Sequence, residues 1–146
     1  MLFRSTSSDV VDELQAQVLH IFLQEASDLL DTLDSSLLEI EESPGSPELL
    51  STFMRGAHTL KGSAGTVGLT GFSDVTHAIE DVVDALRRRA LPQSPRLFDQ
   101  VSRAIDAMTK ALLTLADTGE EPVEVLREVE AELRDLASPE IGRAHV

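Results

Sequence analysis

The chain has 146 residues, 42% of them hydrophobic, and carries 26 acidic against 12 basic side chains, a net charge of −14. This length and apolar content fit one domain with a buried core and room for a tail, and they exclude a disordered chain. The absence of cysteine excludes a disulfide scaffold, thiol catalysis and a cysteine-held metal, and the acidic balance argues against nucleic acid and anionic membrane partners.

No apolar run approaches the ~18 residues of a membrane helix. Met1 to Asp9 lacks a basic end followed by an apolar stretch, so no secretory signal is visible and a cytoplasmic location is expected. The charge is unevenly laid out: residues 1–50 carry −10, residues 51–110 carry +2 and residues 111–146 carry −6. Solvated helix faces on both flanks explain that pattern. So does a middle segment that must tolerate an anion.

Every long segment reads as helix, and none shows sustained strand alternation. Residues 1–16 are an N-terminal extension or the start of the first helix, which begins between Ser8 and Gln17 and runs to about Glu42. Its apolar positions Val18, Phe22, Ala26, Leu29, Leu33, Leu37 and Ile40 step by three or four. Ser43-Pro44-Gly45-Ser46-Pro47 breaks it. Ser46 as N-cap and Pro47 at the first position open a second helix, about 47–67, bearing Leu49, Phe53, Leu60, Ala64 and Val67. After Gly68-Leu69, Thr70 caps a third helix, about 70–90, with Phe72, Val75, Ile79, Val82 and Leu86. It ends in Arg87-Arg88-Arg89, basic residues suited to the negative end of the helix dipole. Ser94-Pro95 opens a fourth, about 95–117, with Leu97, Val101, Ile105, Met108, Leu112 and Leu115, closed by Gly119. A shorter fifth, about 122–137, carries Val125, Leu126, Val129, Leu133 and Leu136, and 138–146 reads as a linker or flexible tail. Four long amphipathic helices with short connections imply an all-α, antiparallel up-down four-helix bundle. The fifth, C-terminal helix would cap or extend it.

His58 is the informative residue. At about 100° per residue, Leu49, Leu60 and Val67 lie roughly 160–180° from it, so it faces away from the core. Its neighbours on that face are Arg55, Lys61, Gly62 and Gly65. Each glycine inside a helix costs about 1 kcal/mol relative to Ala. Close helix packing could explain Gly56, on the core side, but not Gly62 and Gly65. Those two strip side chains from around the imidazole. An ordinary surface histidine beside a weakened helix end is one reading.

A reactive histidine is the other. Neutral imidazole is a nucleophile near physiological pH, and Lys61 beside it could neutralise a phosphoryl group on the ring. Such a site needs an acceptor on the second ring nitrogen to fix the tautomer. Glu80 on the third helix is the candidate orienter, and His77 a more distant member of the site. Glu80 also reads as a plain solvated acid beside Asp81 and Asp84.

The stretch Ala57-His58-Thr59-Leu60-Lys61-Gly62-Ser63-Ala64-Gly65-Thr66-Val67-Gly68 resembles the motif of histidine phosphotransfer (HPt) domains, most nearly those of CheA chemotaxis kinases. Thr76-His77-Ala78-Ile79-Glu80 is similar to the second element of that family, and Phe22 to Leu30 fits its first helix. The resemblance covers about residues 17–137. It implies the four-helix HPt bundle plus the extra helix of CheA. It implies a His58 phosphorylated on Nε2, a Glu80 that accepts a hydrogen bond from Nδ1, a Lys61 that helps hold the phosphoryl group, and a lesser role for His77. Ser63 stands where relatives often have Gly, and Val67 and Leu69 replace Phe.

Such a domain is a substrate and relay, not an enzyme on its own, and would belong to a histidine kinase if the chain is part of one. No cofactor is expected to bind it. It has no Gly-rich nucleotide loop, since Lys61 precedes its glycines. ATP and Mg²⁺ are therefore expected from partners: a CheA-type ATP-binding kinase domain as donor and a CheY- or CheB-like response regulator as acceptor. The expected partner surface surrounds His58, with Arg55, Thr59, Gly62, Ser63 and Gly65, and the isolated domain is expected to be a monomer. Two rival classes are a metal site from His58, His77 and Glu80, and an unphosphorylated helical scaffold. The single His-x-x-Glu order argues against the first. The outward histidine between Lys and glycines argues against the second.

Overall fold

The structure, a computed structural model, describes residues 2–43 and 45–138, with side chains from Ser8 onward. Five helices follow in order: α1 Leu2–Glu42, α2 Pro47–Thr66, α3 Thr70–Arg87, α4 Pro95–Thr118 and α5 Val123–Leu136. No strand occurs among the described residues. Short connections turn α1 to α4 up and down around one core. α1 packs on α2 and α4, and α2 on α3. The fifth helix does not cap an end. Leu126 lies by Gly71 and Arg134 by Asp81, so α5 runs along the side of α3, in contact with α4 as well. Only Ser138 of the expected tail at 138–146 falls within the described residues.

The core follows the helical periodicity with local corrections. Phe72, Val75, Ile79, Val82 and Leu86 of α3 are buried, as are Leu97, Val101, Ile105, Met108, Leu112 and Leu115 of α4. In α1, Leu30 rather than Leu29 is fully buried. In α2, Leu50 is buried and Leu49 only partly so, and Val67 is only partly covered. Each neighbouring pair differs by one helical step, so a straight wheel misplaces the stripe by about 100° once helices cross at an angle. Phe22 and Phe72 meet edge to face, 5.9 Å between centroids, tying α1 to α3.

The first helix departs most from expectation. Of the two alternatives for residues 1–16, the start of the first helix holds from Leu2 onward, earlier than the expected beginning between Ser8 and Gln17, and Val18 is 49% exposed instead of in the core. Every side chain from Ser8 to Val18 is exposed, and the core begins at Phe22. At 1.5 Å per residue, the segment from Leu2 to Val18 is roughly 25 Å long, and Val67 lies beside its Leu14 and Val18.

The helix ends show how the connections are fixed. Ser46 and Ser94 accept from the amides of Leu49 and Leu97, each with Pro next in the chain, as their sequence pattern requires. Gly68 ends α2 in the left-handed region (φ 78°), with Leu69 N–H bonded to the Ala64 carbonyl at 2.9 Å. α3 stops at Arg87, short of the expected residue 90, because Arg89 takes that same left-handed turn (φ 61°). The Asp84 carboxylate binds both Arg87 and Arg88 there. The Arg87 hydrogen bond chiefly holds Asp84 below its ordinary 3.8. A depressed carboxyl contributes stability above that value and loses it as pH falls through the folded pKa. At this exposure the pair is worth at most about 1 kcal/mol.

Thr70 does not cap α3 with its side chain. Glu121, from the α4–α5 connection, reaches across instead, its carboxylate accepting from Phe72 N–H at 2.8 Å and Gly71 N–H at 3.3 Å. A Cβ on Gly71 would stand 2.9 Å from that carboxylate and 3.0 Å from Leu126, so glycine is needed for the approach. A carboxylate at a helix N-terminus satisfies free amides and complements the dipole. Glu121→Ala should therefore destabilise the domain by about 1–2 kcal/mol, read as a lower urea midpoint with an unchanged slope.

Candidate functional site

α2 turns Leu50, Phe53, Ala57, Leu60 and Ala64 into the core. His58 is one position past Ala57, which swings it outward, and its side chain is 72% exposed. Glu80 follows buried Ile79 on α3, and its side chain is only 12% exposed between the helices. The two helices thus present one open imidazole and one nearly covered carboxylate to each other.

His58 Nδ1 lies 3.4 Å from Glu80 Oε2, and Lys61 Nζ lies 2.8 Å from Glu80 Oε1. Of the two contacts, the lysine's is the tight one. The histidine's is longer than a well-formed hydrogen bond, within the looser range common before a reacting group arrives. Oε1 is fully buried and takes no hydrogen bond of good angle, so the Lys61 ammonium is what neutralises it. The expected trio of His58, Lys61 and Glu80 is therefore together, with a difference in detail. Lys61 is only 29% exposed and is engaged by Glu80 rather than standing free over the ring.

His77 is placed elsewhere. Its Nε2 lies 3.7 Å from Asp81, which also faces Arg134 of α5, itself bonded to Glu130. His77 thus belongs to the α3–α5 surface. Among the described residues no three His, Asp or Glu side chains are gathered to hold a metal ion, so His58, His77 and Glu80 do not form a ligand set.

The glycines divide as their positions suggest. A Cβ on Gly56 would meet Leu33 of α1 at 3.2 Å, so Gly56 serves close packing. A Cβ on Gly62 would meet nothing within 4 Å, and one on Gly65 only the Ser73 hydroxyl at 4.0 Å. Neither is required by packing, and both are exposed beside His58. Arg55 and Thr59 are exposed on the same helix, with the Thr59 hydroxyl bonded to the Arg55 carbonyl. Ser63 turns toward α1, where its hydroxyl donates to Glu25 at 2.8 Å. Glu25 had no assigned role. Only the fold reveals that it and Ser63 meet across 38 positions of sequence. Thr76 is fully buried, its hydroxyl donating to the Phe72 carbonyl at 2.7 Å one turn before Glu80, and it serves the core rather than the site.

A model of the family described as Hpt domain matches residues 17–138. The chain belongs to the Hpt domain family. Its relatives include the sensor histidine kinase CheAY of Helicobacter pylori, 38% identical over 109 residues, which are 75% of this chain and 13% of that protein. The chemotaxis protein CheA of Halobacterium salinarum is 33% identical over 113 residues, 77% of this chain and 17% of that protein. The chain thus spans under a fifth of the length of these relatives. The solution structure of the histidine phosphotransfer domain of CheA superposes with a TM-score of 0.68 at 27% identity, covering 81% of this chain and 90% of that one. The phosphorylated P1 domain of CheA3 in complex with CheY6 from R. sphaeroides gives 0.65 at 18% identity, over 82% and 98%, and shares the fold.

Because an Hpt domain spends helix stability on Gly62 without a packing return, Gly62→Ala should stabilise this one by about 0.5–1 kcal/mol. Chemical denaturation of the two proteins side by side checks it. A loss of stability would mean that the glycine has a structural role after all.

Proposed function

We propose that this Hpt domain is a phosphoryl relay in which Nε2 of His58 takes the group from ATP and gives it to an aspartate of a response regulator. The observation that carries this reading is an imidazole 72% exposed, whose other nitrogen faces a carboxylate 12% exposed. Likeness to CheA proteins, and to a P1 domain that is phosphorylated and bound to CheY6, supports the direction of flow.

In the reactive tautomer, Nδ1 carries the proton and donates it to Glu80 in a hydrogen bond. Nε2 keeps its lone pair, the arrangement a carboxylate enforces on a catalytic histidine. The lone pair attacks the γ-phosphorus, the N–P bond forms, and the P–O bond to ADP breaks with its electrons. The ring becomes cationic while its Nδ1 proton stays against Glu80, which stabilises that charge. For transfer onward, an aspartate oxygen attacks the phosphorus and the N–P electrons return to Nε2. Phosphoryl transfer depends on positioning and charge neutralisation. Lys61 supplies one cation beside the ring, held by Glu80 until an anion arrives. ATP and Mg²⁺ come from the partners: a CheA-type kinase domain on one side, a CheY- or CheB-like regulator on the other. The domain itself is the substrate, acting in the cytoplasm.

Gly62 and Gly65, with Arg55 and Thr59, form the docking floor around His58. Ser63 contributes at its edge, since its hydroxyl is engaged by Glu25. His77 has no direct part in the chemistry, given its pairing with Asp81.

Incubating the domain with a CheA-type kinase domain, labelled ATP and Mg²⁺ tests this. Wild type should acquire acid-labile label that a response regulator drains, and His58→Gln should acquire none while keeping its helical spectrum. Label retained on His58→Gln overturns the assignment. Glu80→Ala should slow labelling at least about tenfold, because the ring loses its enforced tautomer. Nitrogen NMR should then show more of the Nε2–H form. An unchanged tautomer and rate would remove Glu80 from the mechanism.

A further inference from the structure

The exposed face of the first half of α1 has a regular spacing. Val11, Leu14, Val18 and Ile21 follow one another by three, four and three residues, and they are 51%, 55%, 49% and 61% exposed. That is the heptad seam of a coiled coil, with Val at both a positions and Leu and Ile at the d positions. It is turned by about a quarter of the helix circumference from the face that α1 gives to its own bundle, which begins at Leu19 and Phe22. Every side chain from Ser8 to Val18 is exposed, and Val67, just past the end of α2, borders the seam beside Leu14 and Val18 without covering it.

The charge pattern names the occupant. Residues 1–50 carry −10, which would repel a second copy brought alongside. Yet the positions flanking the seam are Val10, Gln15, Gln17, Phe22 and Gln24, none of them charged, with Phe22 turned into the domain's own core. Asp9, Asp12 and Glu13 fall at the f, b and c positions, turned away from a partner helix. Uncharged flanks on an acidic helix suit a partner that carries the same charge. β-branched residues at a with Leu at d, the pattern of Val11, Leu14 and Val18, favour two parallel strands. An isologous two-fold pair then places each seam residue against its own copy.

We propose that residues 10–21 of α1 form a parallel, two-stranded coiled coil with the same segment of a second copy of this chain. This departs from the monomer expected of the isolated domain. The seam is under two heptads, below the size of a standard interface, so the dimer is weak and concentration-dependent. The seam also leaves the phosphotransfer face free. Val67, beside Leu14 and Val18, is nine residues and roughly 14 Å along α2 from His58. Two open imidazoles would therefore ride on one assembly.

Sedimentation equilibrium of the full chain over a wide concentration range is the first test. The average mass should rise from one chain toward two, and Leu14→Glu should hold it at one while circular dichroism stays unchanged. Because the chain contains no cysteine, cross-linking gives an independent reading that does not depend on a disruptive variant. Leu14→Cys, at a d position, should oxidise readily to a disulfide-linked pair, and Ala16→Cys, at the outward f position, should not. A mass of one chain at every concentration overturns the proposal and assigns the seam to a different occupant. A dimer that persists in Leu14→Glu, or one that links equally through position 16, overturns it as well.

Discussion

The site rests on one carboxylate shared between an ammonium and an imidazole. Glu80 lies between α2 and α3, with Lys61 at 2.8 Å and His58 at 3.4 Å. A carboxylate so covered is costly unless a positive group accompanies it. Lys61 answers that cost at rest. The same pairing orients the side chain that must later hold the imidazole proton. Folding and the proposed chemistry therefore use one contact. In the proposed relay, a phosphoryl group on Nε2 gives the ring a positive charge, so that Glu80 faces two cations. The ammonium is then freer to turn toward the new anion. The charge that Glu80 needs in the resting state becomes the charge the phosphoryl group needs afterwards.

What holds Glu80 in place lies away from it. α3 starts on the carboxylate of Glu121, fifty positions further along the chain from Gly71. Thr76 fixes the next turn from inside the core. α5 lies along the same helix through Leu126 and the Arg134–Asp81 pair. The fifth helix is therefore less an appendage than the outer support of the helix that carries Glu80. On the other side, Gly56 lets α1 close on α2, and Ser63 binds Glu25 two positions beyond Lys61. The helix bearing His58 is thus braced at its back while its front is kept bare by Gly62 and Gly65.

Much of this could be read from residues alone, because the signals were local. Caps such as Ser46-Pro47 and Ser94-Pro95 act within one turn, and the stripes of α3 and α4 are regular enough to place every buried position named for them. His58 could be placed outward from the wheel, and Gly62 and Gly65 as unexplained by packing, because both follow from angles within one helix. The misses are contacts across the chain. Glu121 at the start of α3 and Glu25 on Ser63 join residues 38 to 50 apart and leave no periodic trace. His77 was grouped with Glu80 by its three-residue spacing, but the structure turns it toward Asp81 and α5, which only tertiary packing could decide. Leu29 and Leu49 lost their places to Leu30 and Leu50 for a similar reason: the crossing angle of two helices selects the buried ridge.

The first helix carries two apolar patterns, and reading only one of them hid the other. From Phe22 onward its stripe belongs to the bundle, and periodicity alone makes Val18 the first member of that stripe. Yet Val18 is nearly half exposed and aligns instead with Val11, Leu14 and Ile21. The two faces overlap where the helix leaves the core, Ile21 pointing outward and Phe22 inward one residue later. An isolated helix of this length is marginal in water, and continuity with a packed helix supplies the nucleus it lacks. The remaining apolar face is worth keeping only if something covers it. Glutamines along its edges, in a segment otherwise rich in Asp and Glu, are what a surface needs to meet its own copy without repulsion.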